Sequence, residues 1–128
     1  MVQEHLSYLP GNLPGYQPFP PAKERAGWDA LPKRVKDRFL QAGEAELAKP
    51  IALLPLSLWL DFIRTGQRAA WEDAYFSRRA RLCALVCAEC VEYQGRFLDA
   101  IADTVWAICE ESAWQLPAHN SYIRDTPQ

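Results

Sequence analysis

The sequence lacks a surplus of either charge. Its 128 residues carry 14 Lys and Arg against 16 Asp and Glu, a formal net charge of −2 at pH 7. Because the two signs are interspersed, there is no one-signed basic field of the kind that nucleic acid or an anionic membrane surface requires. Long apolar runs are missing as well. Ile51 to Leu60 and Leu82 to Cys90 are the longest nearly apolar stretches, interrupted by Pro55 and Glu89, and both fall short of the ~20 residues of a membrane span. Met1-Val2-Gln3-Glu4-His5 offers no basic start to a signal peptide and prolines follow soon after, so no secretory signal is predicted and the expected location is cytoplasmic. No segment alternates apolar and polar residues over a useful length, which removes β-sheet from the fold classes. Histidine is scarce: outside the N-terminal tail, which holds His5, the one imidazole is His119.

What is present is an ordinary globular composition, with 49% hydrophobic and 23% charged residues. This length supports one well-buried domain and is too short for two. Cys83, Cys87 and Cys90 recur at spacings of four and three, on one side of one helix, and Cys109 falls on the next. A disulfide between residues one turn apart is geometrically poor, and thiolate metal sites favour turn-borne pairs. The four are therefore read as reduced, buried small hydrophobes, with no metal and no cofactor. A four-thiolate site completed by Cys109 is the alternative. Arg78, Arg79 and Arg81 form the densest basic group, and Glu72, Asp73 and Glu89 on the same helix make a salt-linked surface the expected role.

Residues 1–25 are rich in proline, with Tyr8, Tyr16 and Phe19 among them, which excludes helix interior and regular strand. An extended segment lying across a helical body is expected there. Residues 26–128 read as a helical-hairpin domain. Pro32 opens a first helix near 32–48, and Pro55 opens a short apolar helix at 56–64 that Gly66 closes in the left-handed conformation. A long helix follows from Arg68 to about Tyr93, apolar all round from Leu82 to Val91 and so expected to be buried on most sides. Gln94-Gly95 breaks it, and a fourth helix over 97–114 returns antiparallel because the connection is short. The fold class is all-α, made of antiparallel helical hairpins. The central helix wants more neighbours than these partners supply, so the chain is expected to be a fragment of a longer helical array.

The run from Val105 to Asn120 carries the candidate site. At about 100° per residue, Asp99, Asp103, Trp106, Glu110 and Trp114 lie within roughly 80° of one another on an ideal helix. Carboxylates alternating with tryptophans suit a sugar cleft, since an indole face packs on C–H surfaces while carboxylates take hydroxyl hydrogen bonds. Beyond Pro117, His119 with Asn120 and Tyr122 brings a neutral-pH base, an amide and a phenol into one loop. Substrate contact competes with a loop-fixing role for these three, and sugar platform with packing anchor for the two tryptophans. Glu110 and Glu111 point about 100° apart, so they are no facing acid–base pair. Glu110 is assigned to sugar hydroxyls and Glu111 to a surface or inter-helix partner.

Four segments in order resemble the N-terminal part of heparinase II/III-like proteins, a group of polysaccharide lyases and relatives. They are Pro18-Phe19-Pro20-Pro21 with Arg25 and Trp28, Leu60-Asp61-Phe62-Ile63-Arg64-Thr65-Gly66, Ala88-Glu89-Cys90-Val91-Glu92 with Gly95-Arg96-Phe97-Leu98-Asp99, and Trp106-Ala107-Ile108-Cys109-Glu110-Glu111-Ser112 through Trp114, Pro117, Ala118, His119 and Asn120. The resemblance covers nearly the whole chain, and the last two segments are the most specific. It implies an (α/α) toroid, here incomplete, whose inner helices line a cleft for uronic-acid-containing polysaccharide. It also implies β-elimination, in which the uronate carboxylate is neutralised, a Tyr or His takes the C5 proton and the glycosidic oxygen leaves. The base and its partners sit mostly on later helices and a following domain in that family, so no catalytic residue is assigned here. Trp106, Glu110, Trp114, His119, Asn120 and Tyr122 are the expected substrate contacts. The partners implied are an acidic polysaccharide or oligosaccharide and the remaining domains of a longer chain, with self-association as a further partner class. The alternative reading is a non-catalytic helical interaction module.

Overall fold

Five α-helices and one short 3₁₀ turn make up the regular structure of this computed structural model, which describes residues 19–119. They are α1 (Arg25–Asp29), α2 (Lys33–Leu47), α3 (Leu56–Thr65), α4 (Ala69–Glu92) and α5 (Leu98–Cys109), with the turn at Pro117–His119. No strand occurs among the described residues, and none of their helices is long and apolar enough to cross a membrane. The all-α class thus holds. The short α1 was not expected from the sequence.

Local signals place most boundaries. Pro32 and Pro55, both extended in ψ, stand immediately before α2 and α3. Gly66 closes α3 at φ 77°, its N–H donating to the Phe62 carbonyl at 2.9 Å. α4 ends one step earlier than its glycine. Tyr93 itself takes the left-handed conformation at φ 57°, and the Arg25 guanidinium lies 5.0 Å from its ring centroid. Glu89 then starts α5 from the preceding helix: its carboxylate accepts the Gly95 N–H at 2.6 Å and the Phe97 N–H at 3.2 Å. This satisfies donors that no residue of α5 itself caps.

α4 is the axis of the molecule, with α2 and α5 packed along it. Two buried clusters sit at its ends. Trp59, Trp71 and Tyr75 form one, supported by Leu54, Leu58, Ala113 and Leu116, and the Trp59 and Trp71 rings meet edge to face at 5.1 Å. Leu85, Ala88 and Phe97 form the other, all fully buried, with Leu40, Ala100 and Ile101 around them. Gly43 lets α2 approach there. A Cβ on Gly43 would overlap the Ala88 Cβ and stand 3.0 Å from Phe97 Cε1.

Three sequence expectations are corrected. First, Arg78 and Arg81 are buried rather than part of a salt-linked surface. The two share the stripe of Trp71, Tyr75, Leu85 and Ala88, within roughly 140° on a helical wheel, and reach carbonyls at the ends of other helices. Arg81 donates to the Glu46 and Lys49 carbonyls at the end of α2 and to Thr104 Oγ1. Arg78 donates to the Ala107 carbonyl at the end of α5 and to the Ala52 carbonyl. Arg25 does the same for α4, donating to the Cys90 carbonyl at 2.7 Å and the Val91 carbonyl at 3.0 Å. Each cation thus meets carbonyl acceptors at the negative end of a helix dipole.

Second, α4 is covered on one side only. Cys83 and Val86 are exposed, and an apolar groove of about 740 Å³ runs along that side, between α4 and the chain from Phe19 through α1 into α2. The cysteines line it instead of lying in the core: Cys83 is exposed, Cys87 and Cys90 are half-buried, and Cys109 is exposed elsewhere. All four are free thiols, and no described group of His, Cys, Asp or Glu has metal-holding geometry.

Third, α5 stops at Cys109 and does not run on to residue 114. Just beyond that end Glu111 turns inward to two arginines of α4.

Candidate functional site

The segment after α5 is pinned by a chain of polar contacts to α4. Glu111, whose side chain is 3% exposed, accepts Arg78 Nη1 at 3.2 Å and Arg79 Nη2 at 2.6 Å. Glu110 is the C-terminal cap of α5, and Glu111 is the first residue beyond it. The Arg79 guanidinium lies 3.3 Å over the Tyr75 ring, and the Tyr75 hydroxyl donates to the Trp114 carbonyl at 2.8 Å. Ala113 and Leu116 pack on the Trp59–Trp71–Tyr75 cluster. Pro117 is fully buried and starts the turn that ends at His119.

Between this segment and α3 lies a hollow of about 500 Å³. Trp59, Trp71, Arg78, Glu110 and Glu111 are among its lining residues, together with Leu54. Its chemistry is mixed, aromatic on one side and charged on another. The Arg78–Arg79–Glu111 group carries one net positive formal charge, which Glu110 at the same hollow offsets. The buried indole N–H of Trp71 has no acceptor among the described residues, a rare state for a buried donor.

The expected site residues fall as follows. Trp106, on the last turns of α5, is 68% exposed and donates from Nε1 to Glu110 Oε1 at 2.8 Å. Glu110, at the C-terminal cap of α5, lines the hollow. Trp114 is 64% exposed but lies beyond the helix, so the expected five-residue helical stripe is broken before it. Its indole N–H folds back to the Ile108 carbonyl at 3.2 Å, keeping it beside the end of α5. Asp99 and Asp103 are exposed on α5. His119 is exposed, and its imidazole has no partner among the described residues. Asn120 and Tyr122 lie outside the described residues.

Trp59, Trp71 and Arg78 are lining residues that the sequence reading passed over. A usable signal existed for one of them: Arg78 sits at the helical spacing of Trp71, Tyr75 and Leu85, on the apolar stripe, where a cation must find partners. Glu111 as an inter-helix partner agrees with expectation. No protein-family model matches the chain, and no curated protein matches it.

Proposed function

We propose that the region from Trp106 to His119, with the hollow beside it, is one wall of a cleft for uronic-acid-containing oligosaccharide, in a chain that is the incomplete (α/α) toroid of a polysaccharide lyase-like protein. The observation that carries this reading is the pair Trp106 and Trp114, each about two-thirds exposed and flanking the end of α5. Folded chains bury indoles when they can, and exposed ones next to a hollow of mixed aromatic and charged lining favour a ligand with C–H faces and hydroxyls. Glu110 at the hollow takes hydroxyls, and Arg78 is the cation among the lining residues that an anionic sugar could meet. In the parent reaction the C5 proton leaves to a base, C4–C5 becomes a double bond and the C4–O bond breaks. This chain contributes binding to that sequence and not the base.

Titration with uronate oligosaccharides by calorimetry tests the proposal. Trp106→Ala and Trp114→Ala are each expected to weaken binding about tenfold, which is about 1.4 kcal/mol, with far-UV circular dichroism unchanged. Absence of binding by the unmodified chain at millimolar sugar overturns it, as does binding by both variants as tight as that of the unmodified chain. Robust formation of unsaturated product, followed by absorbance, overturns the claim that the catalytic set lies elsewhere.

One observation favours the second reading, a non-catalytic interaction module: the apolar groove along α4, which is lined almost wholly by apolar side chains and thiols.

A further inference from the structure

The two exposed indoles are held in different ways. Trp106 stands on α5, so helical backbone fixes it, and its N–H is committed to Glu110. Trp114 has no such support. Residues 111–116 belong to neither helix nor strand, and irregular backbone keeps its place only where other contacts grip it. An indole on loose backbone has to be ordered when a ligand arrives, and that ordering is subtracted from affinity.

α4 supplies the grip from two residues one turn apart. Arg79 takes Glu111 with both arms of its guanidinium, Nη1 to Oε1 at 3.0 Å and Nη2 to Oε2 at 2.6 Å, a bidentate pairing that fixes direction as well as distance. The same guanidinium lies 3.3 Å over the Tyr75 ring, and Nη1 reaches the Tyr75 carbonyl at 3.0 Å, so one face of the ring is covered. Tyr75 in turn donates its hydroxyl to the Trp114 carbonyl at 2.8 Å, 39 residues away in sequence. Glu111 and Trp114 are thus braced against about 6 Å of helix axis. The Trp114 indole N–H closes the other side on the Ile108 carbonyl. A buried phenol needs an acceptor, and any carbonyl would meet that need. Here the acceptor belongs to the exposed platform residue itself, while the ring is already buried with Trp59 and Trp71. Resting on the cleft reading above, we infer that Tyr75 is a positioning residue for that cleft. Its hydroxyl, with the ring held by Arg79, sets where the Trp114 indole stands relative to Trp106, from a buried position behind the platform.

The test uses the full chain labelled with 5-fluorotryptophan. Its five tryptophans give five fluorine resonances, of which Trp106→Phe and Trp114→Phe identify two. Tyr75→Phe keeps the ring and removes only the hydroxyl. In that variant the Trp114 resonance is expected to shift or broaden and the Trp106 resonance to stay, with the far-UV spectrum unchanged. Affinity for uronate oligosaccharides, measured by calorimetry, should fall about threefold to tenfold, as the ordering of one side chain at an interface requires. Arg79→Lys, which keeps the charge but loses the bidentate grip, should move the same resonance and weaken binding as well. A hydroxyl that serves stability alone would lower the urea midpoint of Tyr75→Phe while leaving the Trp114 resonance and the affinity as they were, and that result overturns the inference. So does a moved resonance with unchanged affinity. An unmodified chain that binds no oligosaccharide overturns the cleft reading instead, before any Tyr75 variant is compared, and the Trp114 resonance alone then upholds or overturns the positioning.

Discussion

Gly43→Ala sets two effects of opposite sign against each other. Alanine in a helix interior is favoured over glycine by about 1 kcal/mol, so propensity alone predicts a more stable protein. The structure predicts the reverse, because the new methyl overlaps the Ala88 Cβ and presses on Phe97 at 3.0 Å. Neither neighbour has a flexible end to withdraw: one Cβ is fixed to the α4 backbone, and the Phe97 ring is fully buried. α2 must therefore move away from α4, loosening the Leu85–Ala88–Phe97 cluster, at the ~3 kcal/mol upper end of overpacking costs. The net is a loss of about 2 kcal/mol, or about a 1 M fall in urea midpoint for an m-value near 2 kcal/mol/M. Urea unfolding followed by circular dichroism measures it. Adding Ala88→Gly removes the overlap, so the double-mutant cycle should show a favourable coupling of about 1 kcal/mol or more. A Gly43→Ala protein as stable as the original, or more so, refutes the close approach of α2 and α4.

Two further outcomes follow from the buried polar groups. Arg81→Met keeps most of the volume but leaves the Lys49 carbonyl and the Thr104 hydroxyl oxygen without the Arg81 donor, and the Glu46 carbonyl with the Lys49 N–H alone; charge-assisted bonds of this kind predict a loss of about 3 kcal/mol, and a urea midpoint unchanged from the original would show that these acceptors are satisfied otherwise. Burial raises the thiol pKa of Cys87 and of Cys90, so the unfolded chain gives up these protons first as pH rises. Stability should therefore decline above about pH 8.5, and the Cys87→Ala, Cys90→Ala double variant should flatten that decline in a pH series of urea titrations; an identical slope in both proteins would remove the thiols as its cause.

Helical content and its punctuation were legible because they are local. Pro32, Pro55 and Gly66 act within a residue or two of where they stand, and the structure starts α2, starts α3 and ends α3 at those positions. The end of α5 was not legible, and neither were the contacts of the segment beyond it, since Arg78 and Arg79 lie 33 and 32 residues from Glu111 in sequence. Periodicity extended the helix through Trp114, whereas the structure ends it at Cys109 and fixes the segment beyond through one buried carboxylate and two guanidinium groups. The same limit applies to α4. An all-round apolar stretch predicts burial on most sides, yet which side is covered depends on where α1 and α2 come to rest.

Sequence by itself thus determined the all-α class, most helix boundaries, and a cluster of tryptophan and carboxylate residues near the end of α5. Propensity, turn chemistry and residue type act over a few bonds and need no partner. Only the tertiary structure decided that Arg25, Arg78 and Arg81 close the ends of other helices, that Trp106 and Trp114 remain exposed beside a charged hollow, and that the cysteines line a groove. A guanidinium or an indole has the same intrinsic chemistry on a surface as in a core. Its role is fixed by acceptors and contacts that arrive from distant parts of the chain.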